Sequence, residues 1–316
     1  MEIVDKYFKV LDDGFIALKE FSGSDESIER SARVSYGKGT RKKSDTRNLL
    51  RYLMRHRHTS PFEFPQLAFH VRAPIYVYRQ WHRHRTWSYN EYSARYSVLI
   101  DSMEKTDPDK WRTQSTSNKQ GSSGYIEADW NGPESGENGD FITGKHLSTE
   151  EEWLQGILEK VYNNRLSAGV AREQARKDMP VSNYSEMYAT VNLHNLLHFL
   201  GLRADSHAQL EIREYANIMA GMVKELFPIT FSAWQDYAFH AQNFSRLDLE
   251  FLKQRHWDDL WDYEASFNRE RELDEMPHKQ LGMSERELIE FWDKINPPHL
   301  QDFSLEGKEE YAFTEV

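Results

Sequence analysis

The sequence predicts an α+β chain, and two observations carry that reading. Short stretches of strand-like alternation fall within 1–21, 65–73 and 183–191. Apolar residues recur at helical spacing through 45–56, 149–167, 193–201 and 206–226. The 316 residues suffice for one large domain or two ordinary ones.

Taken in order, residues 1–21 form one or two strands around the turn-like Asp12-Asp13-Gly14. Residues 25–35 form a short helix with Asp25 as its cap. Leu49, Leu50, Leu53 and Met54 set a helix over 45–56. His58-Thr59-Ser60-Pro61-Phe62-Glu63 interrupts it, because Pro61 biases Ser60 away from helix. Leu67, Phe69 and Val71 alternate along the strand 65–73. Pro74 suits the first position of a helix running to about 83, which aligns Tyr76, Arg79, Gln80 and Arg83 on one face. Residues 101–147, rich in Ser, Asn, Gly and Pro, read as a long polar loop. Ser148 with Glu151 predicts a capped helix over 149–167 that ends near Gly169.

A short helix at 170–178 stops at Pro180, and 183–191 reads as a strand. Leu193, Leu196, Leu197 and Leu200 share the face of a helix over 193–201. A long amphipathic helix runs from Ser206 to about Leu226, and Pro228 opens another to about Ala241. Ser284 and Glu287 predict a capped helix over 285–295, ended by Pro297-Pro298.

Composition narrows the function. No cysteine is present, so there is no disulfide, thiolate metal site or cysteine nucleophile. No apolar run approaches the roughly 20 residues that span a bilayer, and no signal peptide is visible at the N-terminus. A soluble cytoplasmic protein is expected. The net charge of −11 is uneven: residues 244–316 hold 19 acidic and 9 basic residues, leaving 32 acidic and 31 basic in 1–243. That division suggests a body of residues 1–243 and an acidic, aromatic-rich extension of 244–316, expected to pack through its tryptophans.

Chemistry concentrates in Arg83-His84-Arg85-Thr86-Trp87-Ser88-Tyr89-Asn90-Glu91-Tyr92-Ser93-Ala94-Arg95. Its three guanidiniums match phosphate oxygens two at a time, and serine hydroxyls with loop N–H groups complete an anion cradle. Glu91 can orient the arginines or accept from ribose hydroxyls. A second cluster gathers Asn192, His198, Arg203, Asp205, Ser206 and His207. The pairs His56/His58, His82/His84 and His207/Glu211 raise a metal site, but neighbouring arginines oppose a cation and no metal is expected. A nucleic-acid-binding module would use the same arginines on phosphates, yet the nearly neutral body offers no broad basic track.

The thirteen-residue string resembles the signature R-H-R-x-x-S-x-N-E-x-S-x-R of the flavin-dependent thymidylate synthases, matched at every fixed position. His58-Thr59-Ser60-Pro61-Phe62-Glu63 is similar to the family's H-x-[ST]-P-F-E segment. Arg79-Gln80-Trp81, Ser117-Asn118-Lys119-Gln120, Ala175-Arg176, Thr190-Val191-Asn192 and Leu202-Arg203-Ala204 follow in family order. The resemblance covers roughly 12–240; the 101–147 segment looks longer than in compact members, and the part after 244 has no counterpart.

The resemblance implies an antiparallel sheet flanked by helices and a homotetramer whose active sites combine several subunits. It implies reductive methylation of dUMP to dTMP, with methylenetetrahydrofolate as carbon donor and NADPH as reductant through bound FAD. It assigns Gln80, Trp81, His82, Arg83, Glu91, Tyr92, Ser93, Ala94, Arg95, Arg176 and Arg203 to dUMP. It assigns Ser60, Arg83, His84, Arg85, Glu91, Asn192, Leu193, His194 and His198 to FAD, and it makes Arg203 catalytic through ionisation of the uracil ring. Ser93 has no evident general base beside it in the sequence and is taken as a binding residue.

Overall fold

The organising element is a five-stranded antiparallel sheet in the order β1-β2-β3-β7-β4. It is seen in a computed structural model that describes residues 3–35, 45–100, 102–116, 121–129, 142–253, 285–295 and 303–313. The strands are β1 (Tyr7–Val10), β2 (Gly14–Ser22), β3 (Gln66–Pro74), β7 (Tyr184–Asn192) and β4 (Ser88–Glu91). β3 and β7 pair over their whole length, from Gln66 opposite Asn192 to Pro74 opposite Tyr184. Alternation divides the two faces. Leu67, Phe69, Val71 and Ala73 of β3, with Met187, Ala189 and Val191 of β7, are fully or almost fully buried on one face. His70, Arg72, Glu186 and Tyr188 occupy the other.

Helices cover the first face. After α1 (Asp25–Arg33) and α2 (Thr46–Arg55), the chain makes a 3-10 turn over Ser60–Glu63 and enters β3. The helix α3 (Ile75–Trp81) leaves β3 directly. A long α4 (Gly144–Ser167) and a short α5 (Arg172–Ala175) precede β7, and α6 (Leu193–Arg203) leaves it. The core is completed by α7 (Leu210–Leu226) and α8 (Pro228–Trp234). The expected leucine face of α6 is buried at Leu193, Leu196, Leu197 and Leu200. Each such side chain contributes about 1.5–3 kcal/mol by leaving water.

Gly14 is required where β1 turns into β2. A Cβ there would lie 2.2 Å from the Tyr215 hydroxyl oxygen and 2.6 Å from the Val10 carbonyl oxygen. Gly169, at φ +79°, ends α4 in the left-handed region, as expected from the sequence.

Several local expectations are corrected. Ser24, not Asp25, caps α1, in a reciprocal box with Ser27. Asp25 is buried, and its carboxylate accepts from the Ile229 and Thr230 backbone N–H groups at 2.8 and 3.1 Å and from the Thr230 hydroxyl at 2.6 Å. It therefore satisfies the orphan donors at the start of α8, where the helix dipole favours an anion. Pro74 ends β3 and is the N-cap of α3 rather than its first residue. Thr143 and His146 form the capping box of α4, five residues before the one expected. Ser148 and Glu151 instead bind the preceding segment, through the Thr106 carbonyl and the Thr106 N–H. The polar 101–147 stretch is not all loop: β5 (Arg112–Gln114) and β6 (Ser122–Tyr125) pair as a small antiparallel sheet. The helix expected from Ser206 starts at Leu210, and the one from Pro228 passes at Gln235 into a π-helical turn to Phe239.

Two compact units are present, Met1–Trp234 with Phe303–Val316, and Gln235–Asp302. Their boundaries differ from the compositional one at 243/244. In the second unit α9 (Arg246–Lys253) and α10 (Glu285–Ile295) share a cluster of Phe251, Leu288, Phe291 and Trp292. Lys294 binds the buried Asp248 at 2.6 Å. Ser284, Trp257, Trp261, Phe267 and Pro297-Pro298 lie outside the described residues. Residues 303–313 belong to the first unit. There the Lys9 N–H donates to the Glu309 carbonyl and the Tyr311 N–H to the Tyr7 carbonyl, while Phe313 stacks on Tyr7 at 4.4 Å.

Replacing Asp25 tests the α8 cap. Asp25→Ala is expected to lower the free energy of unfolding by about 2–3 kcal/mol, the scale for hydrogen bonds to a charged group. Asp25→Asn, which keeps one acceptor oxygen, is expected to lose less; urea titration of the two variants measures both.

Candidate active site

The string from Arg83 to Arg95 leaves the C-terminal end of α3, turns, and becomes the edge strand β4. No strand was expected there, because Ser88–Glu91 is polar on both faces; its pairing with Met187–Thr190 of β7 supplies the order. Trp81, Trp87 and Phe199 pack beneath the turn with ring centroids 5.0–5.9 Å apart. The Tyr89 hydroxyl donates to the His84 carbonyl at 2.9 Å, which closes the turn.

His84 and Arg203 meet at its centre. Arg203 Nε donates to His84 Nε2 at 3.0 Å, and Arg203 Nη2 to the Gln80 carbonyl at 3.3 Å. His84 is 8% exposed. Burial, then Arg203, then His198 push its pKa down to about 4. The imidazole is thus neutral near pH 7, and its Nε2 must be an acceptor because Arg203 only donates. Burial and the neighbouring Arg83 lower the pKa of Arg203. His198 lies beside His84, ring centroids 6.2 Å apart.

The remaining guanidiniums share one property. Among the described residues, Arg79, Arg83, Arg85 and Arg176 have no carboxylate partner, and Arg203 binds only neutral acceptors. Arg83 lies near enough to Arg203 to lower its pKa, and two such charges without counter-charges raise the local potential and favour an anionic ligand. Arg95 does pair with Glu173 at 3.1 Å, but both side chains are 59% exposed, and such a pair is weak and easily exchanged. These two residues line a cleft of about 400 Å³ with Tyr96, Val170, Ala171 and Arg172.

Other expected residues divide into available and enclosed. Ser60, Arg83, Arg85, Glu91, Tyr92 and His198 are exposed, and Ser93, His82, His194 and Arg176 are half-buried. Glu91 accepts from the Ser185 hydroxyl at 2.9 Å. The Tyr92 hydroxyl donates to the Val98 carbonyl at 2.5 Å. Among the described residues, the Ser93 hydroxyl has only the Arg95 N–H, at 3.4 Å, and no base beside it. Trp81, Ala94 and Leu193 are buried, so their side chains serve the core and only their backbones can meet a ligand. Asn192 caps α6, accepting from the Asn195 N–H at 2.9 Å. His207 pairs with Asp205, while Glu211 faces Arg112, so the suggested His207/Glu211 ligand pair does not form. Among the described residues no three His, Asp or Glu side chains gather as metal ligands.

In this α+β fold Arg203 and Arg83, without carboxylate partners among the described residues, thus stand beside a buried neutral imidazole. Residues 17–229 match the family described as "Thymidylate synthase complementing protein". Flavin-dependent thymidylate synthases are similar along most of the chain. The one from Ehrlichia ruminantium (strain Gardel) is 43% identical over 253 residues, 80% of this chain and 81% of its own. That from Rickettsia bellii (strain RML369-C) is 42% identical over 286 residues, 87% and 94%. That from Dictyostelium discoideum is 43% identical over 232 residues, 73% and 71%. The UMP/dUMP methylase PolB from Streptomyces cacaoi, bound with 5-Br dUMP, superposes with a TM-score of 0.61 at 33% identity, covering 73% of this chain and 98% of its own. The chain belongs to the flavin-dependent thymidylate synthase family.

The His84–Arg203 contact is testable by NMR titration of the imidazole. His84 is expected to stay neutral down to about pH 4. Arg203→Ala is expected to raise that pKa without restoring the ordinary value of about 6.5, because burial is the larger cause. The unfolded chain gains this proton below about pH 6.5 and the folded chain only near 4. This residue's contribution to stability therefore falls as pH drops through that window.

Proposed function

We propose that the guanidinium cluster binds dUMP beside a flavin adenine dinucleotide and that the protein carries out the reductive methylation of dUMP to dTMP. The observation that carries this reading is that Arg203 and Gln80 meet at His84, a residue of the complete family signature. The flavin, when bound, supplies the redox chemistry. The donor set fits such a group: guanidiniums without internal carboxylates suit its phosphates, and the neutral imidazole of His84 adds a polar contact without further charge.

The dUMP contacts are Gln80, His82, Arg83, Glu91, Tyr92, Ser93, Arg95, Arg176 and Arg203, with Trp81 and Ala94 contributing backbone. Arg95, Arg176 and the Ser93 turn offer donors to the phosphate. Arg203 faces the pyrimidine and stabilises the negative charge that develops on the ring; it stays charged throughout, and its partial burial strengthens the effect. His84 accepts from Arg203 and holds its guanidinium in one orientation. Ser60, Arg83, His84, Arg85, Glu91, Asn192, the Leu193 backbone, His194 and His198 hold the flavin. Activation requires no cysteine, and the chain has none.

Methylenetetrahydrofolate as carbon donor, NADPH as reductant, and a homotetramer with shared sites belong to the same reading, supported by family membership. The exposure of Arg83 and Arg85 leaves room for groups from a neighbouring subunit. The catalytic domain of residues 1–243 holds every assigned side chain, and the extension of 244–316 holds none. A cytoplasmic location accords with the lack of cysteine, and no described helix is long and apolar enough to cross a membrane.

Purified protein supplied with FAD, NADPH and methylenetetrahydrofolate is expected to release tritium from dUMP labelled at carbon 5 and to form dTMP. Flavin-saturated protein that forms no dTMP refutes the reading. Arg203→Ala is expected to keep its flavin and lose about 100-fold or more in turnover, the scale for removing one electrostatic stabiliser of a transition state.

A further inference from the structure

The 101–147 segment, which the functional reading leaves idle, reaches the site through a chain of hydrogen bonds. Arg112, on β5, places Nη2 2.5 Å from Glu211 Oε1. Glu211 lies in the first turn of α7 and is 7% exposed. Its other oxygen accepts from Gln209 Nε2 at 2.7 Å. Gln209 Oε1 accepts in turn from Gln80 Nε2, in the last turn of α3.

Chemistry gives this chain a direction. A carboxylate paired with a guanidinium only accepts, so Gln209 must turn its NH2 toward Glu211 and its oxygen toward Gln80. Gln80 must then spend an N–H on Gln209, which leaves its own Oε1 without a donor among the described residues. Oxygen and NH2 of an amide have nearly the same size, so without such a chain either could be the free end. The backbone of Gln80 is held separately, by the bond from Arg203 to its carbonyl.

We infer that Arg112 and Glu211 are positioning residues that fix the polarity of the Gln80 amide, so that Gln80 presents an acceptor to a donor of the substrate, a ribose hydroxyl or the pyrimidine N–H. The inference rests on the reading that Gln80 touches dUMP. Glu211 supplies the acceptor-only terminus, and Arg112 supplies the counter-charge that a nearly buried carboxylate needs. The β5–β6 hairpin is thereby an outer wall of substrate recognition.

The test uses the full-length, flavin-loaded protein. dUMP affinity is read from the change in flavin absorbance, and KM and kcat from tritium release. E211Q keeps the shape, but Arg112 then takes the new amide's oxygen and turns its NH2 toward Gln209, so the amides run the other way and Gln80 presents its NH2. It is expected to weaken dUMP binding and raise KM by about tenfold, with kcat within about twofold and flavin content and thermal midpoint unchanged. R112M is expected to shift affinity the same way, and R112K, which retains a cation beside Glu211, to recover most of the loss. Should R112M fail to fold, E211Q with R112K carries the comparison.

Q80A is the reference. If Q80A weakens dUMP binding while E211Q binds as the wild type does, the positioning role is overturned and the Gln80 contact stands. If Q80A itself binds dUMP normally, both are overturned. Loss of flavin and of thermal stability in E211Q in proportion to the loss of affinity marks a merely structural role and also overturns the inference.

Discussion

The pairing of β3 with β7 is the constraint on which the site depends. The ladder runs from Gln66–Asn192 at one end to Pro74–Tyr184 at the other, a length of about 30 Å at roughly 3.4 Å per residue. Each strand feeds a helix directly, and because the strands are antiparallel, α3 and α6 start from opposite ends of the ladder. Both fold back over the same buried face. With rises of about 10 Å and 16 Å respectively, they are long enough to bring their C-terminal ends together. That is where Arg203 meets Gln80 and His84. A register slip of one residue would turn Phe69, Val71, Met187 and Ala189 out of the core, so burial itself fixes where the two helix ends lie.

Holding Arg83 and Arg203 close together costs energy that a folded chain normally recovers with carboxylates. Here Arg203 is held by neutral groups instead, an imidazole nitrogen and a backbone carbonyl. A protonated His84 would add a further positive charge against Arg203, and burial on Phe199 prevents it. The same burial that stabilises the turn thus keeps the imidazole an acceptor. Packing and electrostatics are not separable at this site, and both are set by the aromatic layer of Trp81, Trp87 and Phe199.

Much of this was legible in the sequence where a single physical signal dominated. The alternation in β3, the leucine face of α6 and Gly169 at the end of α4 all mark real elements, since each depends on local burial or backbone conformation. Caps were less legible. Ser24 beside Asp25, and Thr143 ahead of Ser148, are equally good side-chain acceptors, and the choice is settled by tertiary partners such as Thr230 and Thr106. β4 escaped because its order comes from pairing rather than from apolar alternation. The motifs located the site, but motif order says nothing of distance: Trp81, Ala94 and Leu193 lie in or beside matched motifs and are buried in the core. Arg112, Gln209 and Glu211 lie outside the recognised signature and join the site only through long-range hydrogen bonds. Glu211 drew notice for a metal role that its guanidinium partner excludes.

The strap formed by residues 303–313 has a consequence for how the protein is made. β1 is the outer strand of the sheet, and its partner at Glu309 follows Lys9 by 300 residues. Throughout that interval of synthesis the Tyr7 carbonyl, the Lys9 N–H and the apolar surfaces of Tyr7 and Phe15 are without their final cover. An open strand edge recruits foreign strands, and its closure here is a contact of extreme sequence separation, slow to form. The edge of β1 therefore stays open in the nascent chain at least until residues 303–313 have been made. Yield should respond to chaperone supply and to synthesis temperature more sharply than the stability of the finished molecule would suggest.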